Sequence, residues 1–208
     1  PPPTPPRHAT TAPNQQPTQI RPSLLHFLVL VSALRLCLAL DICRAAPSAC
    51  NGTHTGTKLD LEWQGLTGTI PPALGDLSQL RELLLGTNSL SGSMPPELAK
   101  LSQLNTLWPE GNALSGTLPP ELGKLSQMKT LVLQSTNISG TLPRELGQLS
   151  QLVWLDLGNN NLSGSLPSGL NNLSKLERLL LKDNDLSGSV PSGLDNLKQI
   201  GAVCKLGG

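Results

Sequence analysis

Residues 154–177 read WLDLGNNNLSGSLPSGLNNLSKLE, and the same residue types recur at the same offsets 24 residues upstream and 24 residues downstream. Rows laid out from Lys58, Glu82, Thr106, Thr130, Trp154 and Arg178 stay in phase through six copies with no insertion or deletion. The second column is Leu59, Leu83, Leu107, Leu131, Leu155 and Leu179; the fourth is Leu61, Leu85, Pro109, Leu133, Leu157 and Leu181. Apolar residues at alternate positions mark a short, half-buried strand. A glycine (Gly68, Gly92, Gly116, Gly140, Gly164, Gly188) and a proline (Pro71, Pro95, Pro119, Pro143, Pro167, Pro191) then fall at fixed offsets and set a bend. Each row closes on leucines three apart, such as Leu98, Leu101 and Leu104, which line one side of a 3₁₀ or short α turn.

A single row of this kind cannot bury its own apolar side and does so only against its neighbours. A period of this length, with one strand and one helical turn per copy, is the signature of a leucine-rich repeat solenoid. The expected fold is α/β: a right-handed coil with a short parallel sheet on its concave face and 3₁₀ or short helical turns on its convex face. The bend segments read LTGTIP from Leu66, LSGSMP from Leu90, LSGTLP from Leu114, ISGTLP from Ile138, LSGSLP from Leu162 and LSGSVP from Leu186. In these segments the chain resembles the plant-type extracellular leucine-rich repeat proteins, which include receptor-kinase ectodomains, receptor-like proteins and polygalacturonase inhibitors. The resemblance covers residues 58–201 and is specific for fold, far less so for function.

Two departures stand out from the pattern. The resembled class carries Asn in the seventh column, where its amide bridges coils; this chain has Gln64, Asn88, Asn112, Thr136, Asn160 and Asn184. Thr136 offers a hydroxyl and no second polar atom, so the ladder is expected to weaken there. Pro109 stands in the strand of the third coil without an N–H to donate, and an irregular strand is expected.

Three zones flank the repeats. Residues 1–23 hold eight prolines and no acidic residue, a composition that cannot bury a core. Residues 24–40, LLHFLVLVSALRLCLAL, follow the positive Arg21 and have the order of a secretory signal; a buried helix or a short membrane anchor are the alternatives. The sequence starts at Pro1 rather than Met, and the expectation is a fragment, a gene-model translation or a processed form. Cys43 and Cys50 have the spacing of the paired cysteines in the amino-terminal cap of the resembled class, which implies a disulfide, with two free thiols as the alternative. RAAPSA lies between them in place of the usual Trp and Gly, so the cap, residues 41–57, reads as abbreviated. Residues 202–208 read as an incomplete seventh repeat in which Cys204 has no evident partner, and further coils or another chain are expected to cover that end.

Binding is to be sought on the outward columns of the strands, where all three tryptophans fall: Trp63, Trp108 and Trp154. At about 4.8 Å between strands they would lie on one diagonal, and exposed Trp is a frequent hot-spot residue. Asp60, Glu62, Glu110 and Asp156 surround them, with Arg178 and Lys182 toward one end. This pattern suits a basic peptide or protein, or a glycan whose rings stack on indole; a solvated charged surface is the plainer reading. Six short strands offer roughly 500 Å², below the roughly 800 Å² per side of a stable protein interface. A peptide or oligosaccharide therefore fits the concave face, and a large protein partner would need the edges or a co-receptor. Sequons stand at Asn51, Asn137, Asn161 and Asn172, acceptor sites if the chain is secreted.

The formal charge of +1 indicates no nucleic-acid partner. The histidines His8, His26 and His54 all precede the repeats, and no Cys, His and carboxylate set has triad or metal-ligand spacing. No catalytic residue, metal or cofactor is expected, and membrane association only through residues 24–40 or through sequence beyond the chain. The resemblance implies a secreted or cell-surface recognition module with a defence or signalling role. Its rivals are a secreted inhibitor of a cell-wall-degrading enzyme and a structural or ice-binding coil whose Ser and Thr rows are the active surface.

Overall fold

The computed structural model describes residues 40–189, 191–194, 197 and 199–201. The proline-rich leader, all but Leu40 of the apolar segment, and the seventh-repeat residues with Cys204 lie outside the described residues.

The alternation of leucines produces the expected strands. Lys58–Asp60, Glu82–Leu84, Thr106–Trp108, Thr130–Val132, Trp154–Asp156, Arg178–Leu180 and Gln199–Gly201 form one parallel seven-stranded sheet in chain order. Its register follows the period, with Leu59 beside Leu83 and Leu131 beside Leu155. The last strand departs from it: Arg178 pairs with Gln199 rather than with Ala202, three residues further on, because the sixth coil reaches its next strand through a shorter connection. Parallel strands need a crossover; here each crossover is a bend and a 3₁₀ turn. The turns Pro72–Asp76, Pro96–Lys100, Pro120–Lys124, Arg144–Gln148 and Ser168–Asn172 each follow a proline whose φ near −65° is already extended.

Between sheet and turns lies a single column of aliphatic side chains. The second- and fourth-column leucines, the bend residues such as Leu90 and Ile138, and the turn residues such as Leu98 and Leu146 are all buried in one cluster. Each such side chain contributes about 1.5–3 kcal/mol on burial. The convex turns approach so closely that a Cβ on Gly75 would overlap the carbonyl of Glu97, and one on Gly147 the carbonyl of Gly169.

Polar ladders add to this core. Asn88 accepts from the N–H groups of Gln64 and Leu66 and donates to the carbonyls of Leu61 and Leu85. Asn112, Asn160 and Asn184 repeat the bridge. Both departures read from sequence fall at one junction. Thr136 sends its hydroxyl to Leu133 and Asn160, away from coil three. Pro109 lacks the N–H that Leu61, Leu85, Leu133 and Leu157 donate to the next coil, and the strand pairing there shortens to Thr106 with Thr130 and Leu107 with Leu131. The bend segments also form two three-stranded sheets, one over coils one to three and one over coils four to six.

The start of the solenoid is closed by two one-turn helices, Ile42–Ala45 and Pro47–Cys50. Asp41 caps the first by accepting from the Arg44 N–H at 2.7 Å. Cys43 and Cys50 are disulfide-bonded, and Ile42 and Ala49 are fully buried over the first coil.

Candidate functional site

The strands present their odd columns on the open sheet face, and column three carries Leu84, Trp108, Val132, Asp156 and Leu180. Trp108 of coil three and Trp154 of coil five meet edge to face, ring centroids 5.1 Å apart at 83°. Val132 lies in the intervening coil and is buried to 1% exposure although its column faces outward. Arg178 sets its guanidinium 5.2 Å from the centre of the Trp154 ring, a cation–π contact. Both indole N–H groups are buried and have no hydrogen-bond partner among the described residues. A buried donor left unpaired costs about 1–3 kcal/mol.

Asp156 lies on the strand of Trp154, in register beside Val132, and is 4% exposed. It accepts from the Gly158 N–H at 3.0 Å. Burial pushes its carboxyl above the usual carboxylate range, the Gly158 bond offsets part of this, and the charge of Glu110 adds to the rise. The acidity that the sequence places at the middle of the face is thus partly withdrawn from solvent. What remains converges over Gly86, where an added Cβ would lie 2.9 Å from Glu62 Oε1, 3.5 Å from Glu110 Cγ and 3.7 Å from Trp108 Cδ1. At the first coil Lys58 pairs with Asp60 at 2.9 Å, which holds Asp60 below and Lys58 above their ordinary values. At the sixth, Lys182 approaches Asp183 at 3.8 Å.

Trp63 stands apart. It is 78% exposed and has no ring contact with the other two indoles. It occupies the sixth column, where every coil turns with positive φ: Trp63 (58°), Thr87 (52°), Gly111 (64°), Ser135 (54°), Asn159 (51°) and Asp183 (57°). A bulky side chain in that region costs about 1–3 kcal/mol. The structure therefore joins two of the three tryptophans, with Arg178 over the second, and leaves the third exposed at the rim. Val132, Leu84 and Leu180 were missed from sequence; the signal was the run of apolar residues down an outward column. Among the described residues no His, Cys, Asp and Glu side chains group to hold a metal, and no helix is long and apolar enough to cross a membrane.

Asn51, Asn137, Asn161 and Asn172 are all exposed. Asn51 Oδ1 accepts from both the N–H and the hydroxyl of Thr53, at 3.1 and 2.7 Å. On the bend segments a second row, Thr69, Ser93, Thr117, Thr141, Ser165 and Ser189, is exposed in every coil.

The family described as Leucine Rich Repeat matches residues 79–101, 151–173 and 175–197. No curated protein matches the chain. Among solved structures it is similar to the Arabidopsis receptor kinase HAESA in complex with the peptide hormone IDA and the co-receptor SERK1, at 34% identity and TM-score 0.65, over 68% of this chain and 24% of that one. It is also similar to the leucine-rich repeat ectodomain of the Arabidopsis receptor kinase SOBIR1, at 34% identity and TM-score 0.60, over 64% of this chain and 72% of that one. A plant ice-binding protein is 32% identical with TM-score 0.62, over 65% of this chain and 44% of that one. The chain thus spans about a quarter of the length of the HAESA ectodomain.

Proposed function

Because the chain belongs to the leucine-rich repeat proteins of the plant extracellular type, we propose that it is a secreted or cell-surface recognition module that binds a peptide across its sheet face. The observation that carries this reading is the edge-to-face pair of Trp108 and Trp154 with Arg178 over the second ring, in a chain whose residues are only 2% aromatic. Rigid aromatic anchors lose little entropy on binding. Glu62 and Glu110 over Gly86 receive the basic part of the ligand, Asp60 and Lys182 lie at its two ends, and Trp63 covers it at the rim. The HAESA complex, with a peptide and a co-receptor on a similar scaffold, supports the same use, a co-receptor adding the area that the small face lacks. The four exposed sequons are consistent with an extracellular, glycosylated protein, and Asn137 and Asn161 would bound the face on one edge.

A random displayed-peptide library and synthetic IDA would be panned against the full chain. Enriched peptides are expected to lose tenfold or more in affinity on Trp154→Ala, about 1.4 kcal/mol or more, and less on Trp63→Ala. Affinity unchanged in both variants would remove the sheet face from the reading, and inhibition of a polygalacturonase by the same protein would favour the inhibitor role instead.

A second reading is favoured by one specific feature: the exposed Ser and Thr row from Thr69 to Ser189 on regularly spaced coils, on a scaffold similar to a plant ice-binding protein. Thermal hysteresis that disappears in Thr117→Asp and survives in Trp154→Ala would establish it.

A further inference from the structure

We propose a second binding site, separate from the sheet face: a groove along the edge where the strands begin, which takes an acidic segment of a partner polypeptide in polyproline II conformation. The groove has a volume of about 280 Å³ and is lined by Arg81, Gln103, Asn105, Gln127 and Lys129. Arg81, Asn105 and Lys129 each directly precede a strand, so they stand in one column, the last of coils one to three.

The backbone at this edge is already spent. The carbonyl of Arg81 accepts from the N–H groups of Asn105 and Thr106, and that of Asn105 from those of Lys129 and Thr130. Recognition is left to the side chains, and these are mostly donors. Asn105 Oδ1 accepts from the Thr106 hydroxyl at 3.0 Å, which leaves its amide protons for a ligand. Arg81 and Lys129 are exposed, and among the described residues neither forms an ion pair. No acidic residue lines the groove. Two unneutralised cations flanking three amides favour an anionic ligand that also presents carbonyl groups.

Spacing selects the conformation. Arg81 and Lys129 are two coils apart, about 10 Å at roughly 4.8 Å per strand. In an ordinary extended strand, residues three apart span a similar distance but face opposite sides. A polyproline II helix has three residues per turn and about 3.1 Å rise, so residues i and i+3 share one side about 9 Å apart, and its carbonyls are unpaired and free to accept. Carboxylates at i and i+3 would meet the two cations while Gln103, Asn105 and Gln127 donate to the carbonyls between them. The proline-rich residues 1–23 of this chain contain no acidic residue and do not satisfy this chemistry, so the occupant is another polypeptide.

The test uses the full chain and two fluorescent synthetic peptides rich in proline, one with its glutamates three residues apart and one with them two apart. The first is expected to bind several-fold more tightly, to weaken about fivefold in each of Arg81→Gln and Lys129→Gln, roughly 1 kcal/mol per exposed pair, and to weaken further with added salt. Trp154→Ala should leave this binding unchanged, which separates it from the sheet-face site. Equal binding of the two peptides, binding indifferent to both substitutions, or no binding at low salt would each overturn the proposal. So would tighter binding of a tetragalacturonide than of either peptide, which would assign the groove to an acidic glycan.

Discussion

Where coil four meets coil five, Leu133 donates to Asp156, Asn160 bridges Thr136 and Ile138 to Leu157, and the two bend segments pair as strands. Where coil three meets coil four, Pro109 has no proton to give, Thr136 does not reach back, and the bend sheet is interrupted. Yet Leu107, Leu131 and Leu155 are equally buried across both junctions. The comparison teaches that the leucine column sets the period, while the polar ladder is a separate layer that can be lost locally without changing it. In a solenoid whose stability is close to a sum of neighbour terms, the third junction should then be the weakest link. The Trp108–Trp154 contact on the sheet face spans this junction and the next, so the proposed ligand would lie over the weak junction and the strong one alike.

The largest expected effect comes from making the strong junction resemble the weak one. Asn160→Ala leaves several buried backbone groups of coils four and five unpaired and should cost about 3 kcal/mol in urea unfolding. A loss below about 1 kcal/mol would mean that the ladder contributes little and that the junctions do not differ. The reverse change should be smaller. Thr136→Asn can donate to coil three and accept from the Leu114 N–H, with an expected gain of about 1 kcal/mol and slower hydrogen exchange at Leu114. No gain would place the weakness of this junction in Pro109 alone.

The smallest effect concerns Asp156, which sits beside the pair. Its folded-state pKa is raised by burial, so the folded protein keeps this proton at pH values where the unfolded chain has released it. Its contribution to stability therefore falls as pH climbs from the ordinary carboxyl value through the raised one, and the penalty is complete above that. Asp156→Asn retains the acceptor for Gly158 and removes the charge. It should raise the Tm at neutral pH, with the gain vanishing near about pH 4; a gain independent of pH would contradict the assignment.

The period up to the sixth coil, the strand columns and the Pro109 interruption were legible from residue types, because leucine and proline each act there through one local property, while the weak ladder at Thr136 followed from resemblance to a class that carries Asn in that column. The cap disulfide followed from resemblance to the plant class. The site was only partly legible. Column positions put Trp108 and Trp154 on one face, but their contact depends on side-chain directions across an intervening coil, which residue types do not fix. Asp156 read as an exposed acid because strand alternation reports which face a residue takes and not what its neighbours bury. Trp63 shared the outward face with the others in sequence, whereas the left-handed corner of coil one sets it apart.

The claim that the aromatic pair is the centre of recognition is most directly tested by its own fluorescence. In Trp63→Phe only Trp108 and Trp154 emit, and titration with a library-enriched peptide should shift their emission and protect them from acrylamide quenching in step with binding measured independently. Saturable binding that leaves both the emission and the quenching unchanged would place the ligand elsewhere on the solenoid.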